Sequence, residues 1–181
     1  MRAAAVLIGV PGSGKTTVGT LLAERLGVGF RDTDHDVEAS CGMPVPDLVR
    51  QHGEARFRRL EREAVRTALA EHDGVLALGG GAVLDPLTRR LLAGHRVVHL
   101  QVDLATALAR IGGADDRPLL AGDPESRLRE VFRVRGPLYR QLARLTVTAD
   151  ADSADDTARH LADALGAPAG PRPCDAPGDP A

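Results

Sequence analysis

The chain is almost devoid of lysine: of its twenty-three basic side chains only one, Lys15, is a lysine. This shortage excludes the N-K-x-D motif with which GTPases recognise guanine, because no second lysine exists to form it. Aromatic residues are equally scarce at 2% of the sequence, with three phenylalanines, one tyrosine and no tryptophan. Since 43% of the residues are hydrophobic, the core must be built from Leu, Val, Ile and Ala.

The scarcity of cysteines, of basic clusters and of long apolar runs indicates where the protein is located and which partners it lacks. The two cysteines, Cys41 and Cys174, are far apart and match no metal-ligand spacing, which is typical of a reducing compartment. No block of basic residues accompanies the net charge of −2, so nucleic acid is not an expected partner. The apolar run at residues 3–10 is too short for a membrane span and lacks a cleavage-type sequence after it. We therefore expect a cytoplasmic protein without a membrane partner.

The order of hydrophobic segments predicts a single α/β domain over residues 1–165. Short apolar runs typical of buried strands occur at residues 4–8, 28–30, 75–78, 97–102 and 145–148. Helical spacing alternates with them at residues 15–26, 54–70, 87–92, 104–111, 126–143 and 155–165. Such alternation predicts a parallel sheet with ligands at the carboxyl ends of the strands. Residues 166–181 are rich in Ala, Pro and Gly without periodicity, which predicts a disordered tail.

Residues 9–16, Gly-Val-Pro-Gly-Ser-Gly-Lys-Thr, match the phosphate-binding pattern G-x-x-x-x-G-K-[ST] at every fixed position. The match lies between a predicted strand and a predicted helix, as its mechanism requires. Backbone N–H groups of the turn cradle phosphates, Lys15 reaches the β and γ oxygens, and the Thr16 hydroxyl binds Mg²⁺. The helix that begins near Gly14 directs its positive end at the same anion. The pattern therefore predicts a nucleotide-binding protein.

Two aspartates, Asp32 and Asp34, follow the second predicted strand. If this segment is extended, both side chains project to the same side. One carboxylate would then hold Mg²⁺ through water, and the other would accept hydrogen bonds from a substrate hydroxyl. The alternative is a helix N-cap followed by an acid in the first turn, and the residues alone leave both interpretations open.

Later segments supply candidates for binding an anionic substrate. Arg58 lies in a helical segment, where the alternative is a surface ion pair with the glutamate one turn earlier. Residues 79–81 are three glycines after a strand, which permit a close backbone approach to a ligand or else form a loose turn. Arg135 ends a helical stretch, where the dipole alone would favour a cation. Arg117, in a polar loop at about residues 112–123, suits a lid that closes over transferring phosphate.

Taken in order, these segments resemble the shikimate kinase family, small P-loop enzymes related in fold to the nucleoside monophosphate kinases. The resemblance covers residues 4–165 and includes the phosphate loop, the Asp-Thr-Asp segment and the glycine run. It also includes Arg-Pro-Leu-Leu at residues 117–120 and Arg-Gly-Pro-Leu-Tyr at residues 135–139. The resemblance implies a three-layer P-loop NTPase fold with a five-stranded parallel sheet in order 2-3-1-4-5 and a mobile lid.

The resemblance further implies roles for individual residues. The catalytic residues would be Lys15, Asp34 and Arg117. The nucleotide would be bound by Gly12, Ser13, Gly14, Lys15, Thr16, Thr17, Arg110 and Arg117. Shikimate would be bound by Asp34 through its hydroxyls and by Arg58, Gly80 and Arg135 through its carboxylate. The metal ligands would be Thr16 and Asp32, the latter through water.

The implied activity is ATP-dependent phosphorylation of the shikimate 3-hydroxyl by a monomer with Mg²⁺ as cofactor. A gluconate kinase is the alternative on the same fold, but the glycine run and the Arg117 and Arg135 motifs favour shikimate. The same motifs disfavour a nucleoside monophosphate kinase. A nucleotide-dependent switch or binding module is a different class of function, which ADP release without any acceptor would support.

Overall fold

Five short parallel strands form the centre of the computed structural model, which describes residues 3–111, 123–150 and 153–166. The strands are β1 (Ala5–Ile8), β2 (Phe30–Asp32), β3 (Val75–Ala77), β4 (Val97–Gln101) and β5 (Leu145–Thr148). They lie in the order β2-β3-β1-β4-β5, and each neighbouring pair is parallel. The sheet order implied by the resemblance is therefore confirmed.

Helices cover both faces of this sheet. Within the described ranges they are α1 (Lys15–Leu26), α2 (Thr33–Cys41), α3 (Val45–His52), α4 (Glu54–Glu71), α5 (Pro86–Leu92), α6 (Leu104–Ile111), α7 (Pro124–Leu142) and α8 (Ala154–Gly166), with a 3₁₀ turn at Ala82–Leu84. One hydrophobic cluster contains Val65 of α4 and Tyr139 of α7. A second cluster contains Leu22 of α1 and Leu161 of α8. The predicted layered α/β architecture is confirmed.

The central strand β1 is covered on both faces, which explains why its sequence is continuously apolar. Val6 and Ile8 pack into the cluster with α4 and α7, whereas Ala5 and Leu7 pack into the cluster with α1 and α8. All four residues are buried. Successive side chains thus point to opposite faces of the sheet, and each face receives two apolar side chains from β1. The phosphate loop begins where this strand ends, so it lies at the middle of the carboxyl edge.

Two glycines shape the loop between β1 and α1. Gly12 and Gly14 take left-handed backbone conformations, with φ of 81° and 87°. A Cβ atom on Gly12 would also lie 2.7 Å from the carbonyl oxygen of Ala107. Conformation and space therefore both exclude a side chain at Gly12. The loop ends at Lys15, where α1 begins, so the helix N-terminus faces whatever the loop binds.

The first acidic segment differs from its predicted structure. β2 spans Phe30–Asp32 rather than residues 28–30, and α2 follows it at once. The Asp32 side chain accepts a hydrogen bond from the Asp34 backbone N–H, so Asp32 is an N-cap and Asp34 lies in the first turn. The extended arrangement of the two aspartates is therefore wrong, and the helix-cap alternative is correct.

The hydrophobic pattern also misses α2 and α3. Helix α2 buries only Thr33 and Val37, so its sequence shows almost no apolar period. Helix α3 begins between two prolines, Pro44 and Pro46, which are usually taken as helix breakers. Pro46 is nevertheless accommodated in the first turn, where the missing N–H has no intrahelical partner to lose.

Arg135 does not end a helix. Helix α7 continues to Leu142 with Pro137 inside it, as the helical spacing over residues 126–143 predicts, so the expectation that Arg135 ends a helical stretch is wrong. The predicted lid and tail lie outside the described residues, apart from Asp123, which caps α7, and Gly166, which ends α8. Within the described ranges, no helix combines the length and the apolar character that crossing a membrane would demand.

Candidate active site

A cleft of about 1040 Å³ opens at the carboxyl edge of the sheet, beside the ends of β1, β2 and β3. Most of the predicted site residues line it, namely Gly12, Gly14, Lys15, Thr16, Thr17, Asp32, Asp34, Arg58, Gly80, Arg110 and Arg135. Ser13 does not line the cleft: its side chain is buried behind the loop, with the hydroxyl 3.4 Å from Lys15 Nζ. Arg117 lies outside the described residues.

The ammonium group of Lys15 lies against the loop that precedes it. Its Nζ atom donates to the carbonyl oxygens of Gly9 and Val10 over 3.0 and 3.1 Å. A compact head with three donors makes several such contacts at once, whereas a guanidinium presents its donors in a larger planar fork. The positive charge is thus held at the N-terminus of α1, where the helix dipole has the same sign.

Thr16 and Asp32 place two side-chain oxygens next to each other at the phosphate loop, where they could serve as metal ligands. The Thr16 hydroxyl donates to Asp32 Oδ2 over 2.9 Å, while Asp32 Oδ1 accepts the Asp34 N–H over 3.0 Å. One hydroxyl and one carboxylate suit Mg²⁺, which binds few protein oxygens and keeps several waters or phosphate oxygens. Within the described residues, no group of three or more His, Cys, Asp and Glu side chains could hold a metal ion.

Glu61 is a buried acid in the cleft that the sequence reasoning misses. Its side chain is 4% exposed, and its Oε2 atom accepts a hydrogen bond from Arg58 Nη1 over 2.8 Å. Arg58 also forms an ion pair with Glu54 over 3.0 Å, so the surface ion pair that was the alternative interpretation of Arg58 exists as well. Glu61 lies four residues after Phe57, on the apolar side of α4. A glutamate at a helix position whose neighbours at i−4 and i+4 are apolar is the sequence signal that could have identified Glu61.

Burial raises the pKa of Glu61 to about 7, against the attraction of the neighbouring Arg58 guanidinium. The Asp34 carboxylate raises the Glu61 pKa further. Both acids converge on the bare backbone of Gly79, where a Cβ atom would lie 2.4 Å from Asp34 Oδ1 and 2.8 Å from Glu61 Oε1. The absence of a side chain at Gly79 therefore leaves space for two carboxylates. None of the three glycines at residues 79–81 has a positive φ, so space and not backbone conformation is the reason for glycine at residue 79.

We expect Glu61→Gln to remove a pH dependence of stability from the protein. Between pH 4.5 and about 7 the unfolded chain ionises Glu61 while the folded chain keeps it protonated. Because the folded state binds the extra proton, the free energy of unfolding should fall as pH rises through this window, by about 3 kcal/mol. Urea denaturation of wild type and variant at several pH values measures the difference.

Glu63→Gln is the matched control for this experiment, because Glu63 lies on the same helix with its side chain 60% exposed. The control should follow the wild-type pH profile. A constant difference between wild type and Glu61→Gln across the window would contradict the raised pKa.

Arg135 and Arg110 bring guanidinium groups to opposite parts of the cleft. Arg135 is half-buried, and its Nη1 atom lies 3.6 Å from the position that a Cβ on Gly80 would occupy. Arg110 donates from Nη2 to the carbonyl oxygen of Ala149 over 2.6 Å. Its Nη1 atom lies 3.9 Å from the Cβ position of Gly14. One arginine therefore lies at the glycine run and the other beside the phosphate loop.

The cleft thus combines a phosphate loop at one end with two arginines, Asp34 and the buried Glu61 at the other. A model of the family described as shikimate kinase matches residues 11–166, most of the chain. The chain belongs to the shikimate kinase family. The resemblance stated from the sequence motifs is thereby confirmed.

Individual shikimate kinases match most of this chain. The shikimate kinase of Frankia casuarinae is 55% identical over 89% of this chain and 72% of its own length. That of Thermobifida fusca is 52% identical over 91% of this chain and 95% of its own. Identity and coverage at this level support the family assignment.

Solved structures agree with the fold. The structure of shikimate kinase from Acinetobacter baumannii in complex with shikimate is 35% identical, with a TM-score of 0.85 over 89% of this chain and 92% of that one. A deoxyadenosine kinase from M. mycoides, 16% identical with a TM-score of 0.57 over 89% of this chain and 97% of that one, shares the fold alone.

Proposed function

We propose that this chain transfers the γ-phosphoryl group of ATP to the 3-hydroxyl of shikimate, forming ADP and shikimate 3-phosphate. The observation that carries the proposal is that a phosphate loop and two arginines, Arg58 and Arg135, line one cleft in a member of the shikimate kinase family. The loop by itself accounts for a nucleotide. The arginines add a second anion site, as a small carboxylic acid acceptor requires.

The donor half of the cleft is the phosphate loop with its metal ligands. Lys15 and the loop N–H groups bind the β- and γ-phosphates, and Thr16 with Asp32 holds Mg²⁺, Asp32 through water. When bound, the metal neutralises charge on the phosphates. Arg110 is proposed to contact the nucleotide, because its guanidinium lies beside Gly14 of the phosphate loop and is held by the Ala149 carbonyl. Arg117 is proposed as the lid arginine on sequence alone.

The acceptor half is formed by Arg58, Arg135, the backbone of Gly80, and Asp34. Planar guanidiniums bind a carboxylate in a bidentate geometry that an ammonium would not reproduce. Asp34 accepts a hydrogen bond from the acceptor hydroxyl and so aligns its oxygen with the γ-phosphorus. Phosphoryl transfer depends mainly on such alignment and on charge stabilisation. Asp34 is therefore proposed as an orienting residue in the reaction.

We propose further that the enzyme works as a monomer, as the resemblance to the family implies. A cytoplasmic location stays a prediction of the sequence.

Gly81→Ala is expected to weaken acceptor binding while leaving the fold intact. The new Cβ would lie 2.0 Å from Arg58 Nη1, so the guanidinium must move away from its place beside Glu61. Gly81 itself has φ of −92° and ψ of −14°, which alanine adopts without strain. We expect KM for shikimate to rise on the order of tenfold, since small displacements of binding groups have large effects.

Steady-state kinetics with varied shikimate at saturating ATP measure this change. Gly136→Ala is the control, because its added methyl would approach only Arg140 Nη1, at 3.5 Å. An unchanged KM in Gly81→Ala would show that the position of Arg58 is unimportant for the acceptor.

A coupled ADP-release assay with shikimate, gluconate and nucleoside monophosphates side by side tests the proposed function. Shikimate should support turnover and the other acceptors should not. Turnover with gluconate in place of shikimate would favour the alternative kinase, whose open-chain acid also needs an anion site. ADP release that is independent of every acceptor would instead support an ATPase or a switch. Asp34→Asn, assayed in parallel, should lower ADP release in the shikimate arm.

A further inference from the structure

The glycine run is held in place by two side-chain hydroxyls from different elements. On one side, the backbone N–H of Gly79 donates to Thr33 Oγ1 over 3.1 Å. On the other side, the hydroxyl of Tyr139 donates to the carbonyl oxygen of Gly80 over 2.6 Å. Both hydroxyl-bearing side chains are buried, at 0% and 1% exposure. A turn without side chains of its own is thereby fixed from α2 and from α7.

The Tyr139 bond has a directional consequence for the next peptide group. The Gly80 carbonyl belongs to the Gly80–Gly81 peptide, which is trans like every described peptide bond. In a trans peptide the N–H points to the side opposite the C=O. Because the carbonyl points at Tyr139, the Gly81 N–H points away from it. Both glycines line the cleft, and Tyr139 does not.

Packing fixes the position of the tyrosine itself. Tyr139, the only tyrosine of the chain, stacks on the ring of His99 with a centroid distance of 5.3 Å and an interplanar angle of 25°. Burial raises the pKa of Tyr139 to about 12, so the hydroxyl keeps its proton and stays a donor at neutral pH. Arg135 lies one turn earlier on α7, on the same side of the helix. A single helix therefore carries a candidate carboxylate ligand and the anchor of a backbone donor.

We infer that Tyr139 is a positioning residue for the acceptor: its hydroxyl orients the Gly80–Gly81 peptide so that the Gly81 N–H is offered to the acceptor carboxylate. The identity of that acceptor rests on the proposed function. Tyr139 does not touch the acceptor, and it acts through the peptide that it holds.

Tyr139→Phe tests the inference, because it removes the hydroxyl and keeps the ring that stacks on His99. We expect KM for shikimate to rise about three- to tenfold, as for loss of one buried hydrogen bond. The kcat at saturating acceptor and KM for ATP should stay within about twofold of wild type. If Tyr139 had only a structural role, its loss would not raise KM for shikimate while leaving KM for ATP unchanged.

Thr157→Val is the matched control. Thr157 of α8 is also fully buried, and its hydroxyl donates over 3.1 Å to the carbonyl of Ser153, the residue before that helix. The control removes a comparable hydrogen bond away from the cleft and should leave both KM values unchanged. Melting temperatures of all three proteins verify that each is folded at the assay temperature.

Two outcomes would overturn the inference. One is an unchanged KM for shikimate in folded Tyr139→Phe while the wild type phosphorylates shikimate normally. The other is an equal rise in KM for ATP and for shikimate, which indicates general loosening of the cleft. Absence of shikimate turnover in the wild type would instead contradict the proposed function, so the two failures are distinguishable.

Discussion

Lys15→Arg is expected to abolish phosphoryl transfer although it preserves the positive charge. Lys15 Nζ fits within hydrogen-bonding distance of two loop carbonyls, those of Gly9 and Val10. A guanidinium is larger and planar, so it cannot occupy the same place and also reach the β- and γ-phosphates. We expect kcat to fall by at least about 10²–10³-fold, the loss seen when one preorganised donor to the transition state is removed. ADP release at saturating shikimate and ATP measures the change.

The remainder of the chain provides the controls for this substitution. Arg133→Lys exchanges the same two side chains in the opposite direction at a position that is 73% exposed, and it should leave kcat unchanged. Shikimate affinity of Lys15→Arg, measured by calorimetry, should equal that of the wild type, because Lys15 belongs to the donor half. Retention of wild-type turnover would refute the role of the ammonium as a compact point charge.

Arg135→Ala should produce the second large effect, this time on the acceptor. Removing a desolvated cation from a carboxylate typically costs about 2–3 kcal/mol of binding, which is about a 30- to 150-fold rise in KM for shikimate. KM for ATP should stay near the wild-type value, since the phosphate loop lies elsewhere in the cleft. Initial rates over a matrix of both substrate concentrations separate the two constants.

Arg133→Ala is the matched control on the same helix. Its guanidinium pairs with Glu130 at the surface, so truncation should change neither constant. Arg135 is a cleaner test than Arg58, whose removal would leave buried Glu61 without its counter-charge and would lower stability as well. A KM for shikimate that is unchanged in Arg135→Ala would remove this arginine from the acceptor site.

The acidic segment shows how far local sequence can predict a site. Both Asp32 and Asp34 line the cleft, as the motif implies, but through a different backbone from the extended one. The extended and the helix-cap arrangements both place Asp32 and Asp34 at the carboxyl edge of the sheet, because α2 begins directly after β2 ends. The residue types and their order are therefore sufficient to predict where the two aspartates lie, but not the backbone conformation that places them there.

Glu61 and Tyr139 show where local sequence fails. Glu61 belongs to a helix whose other charges are mostly at the surface, and only the packing of α4 buries it beside Arg58. Tyr139 meets Gly80 across 59 positions of sequence. The Tyr139 contact leaves no periodic trace, since it joins two elements that meet only after the sheet has formed. Glu61 leaves only its place in the helical period, and its burial depends on the packing of α4.

Contiguous sequence specifies the phosphate loop of the proposed donor half, whereas Asp32 and Arg110 reach that loop only through the fold. Residues 9–16 are contiguous, and their function depends on backbone φ values and hydrogen bonds within one short loop. Chain order alone therefore specifies where a phosphate binds and why Lys15 is there. The acceptor half depends on tertiary structure, because Arg58, Gly80 and Arg135 come from three separate elements. Their convergence, and the burial that raises the pKa of Glu61 beside them, exists only when α4 and α7 pack against the sheet.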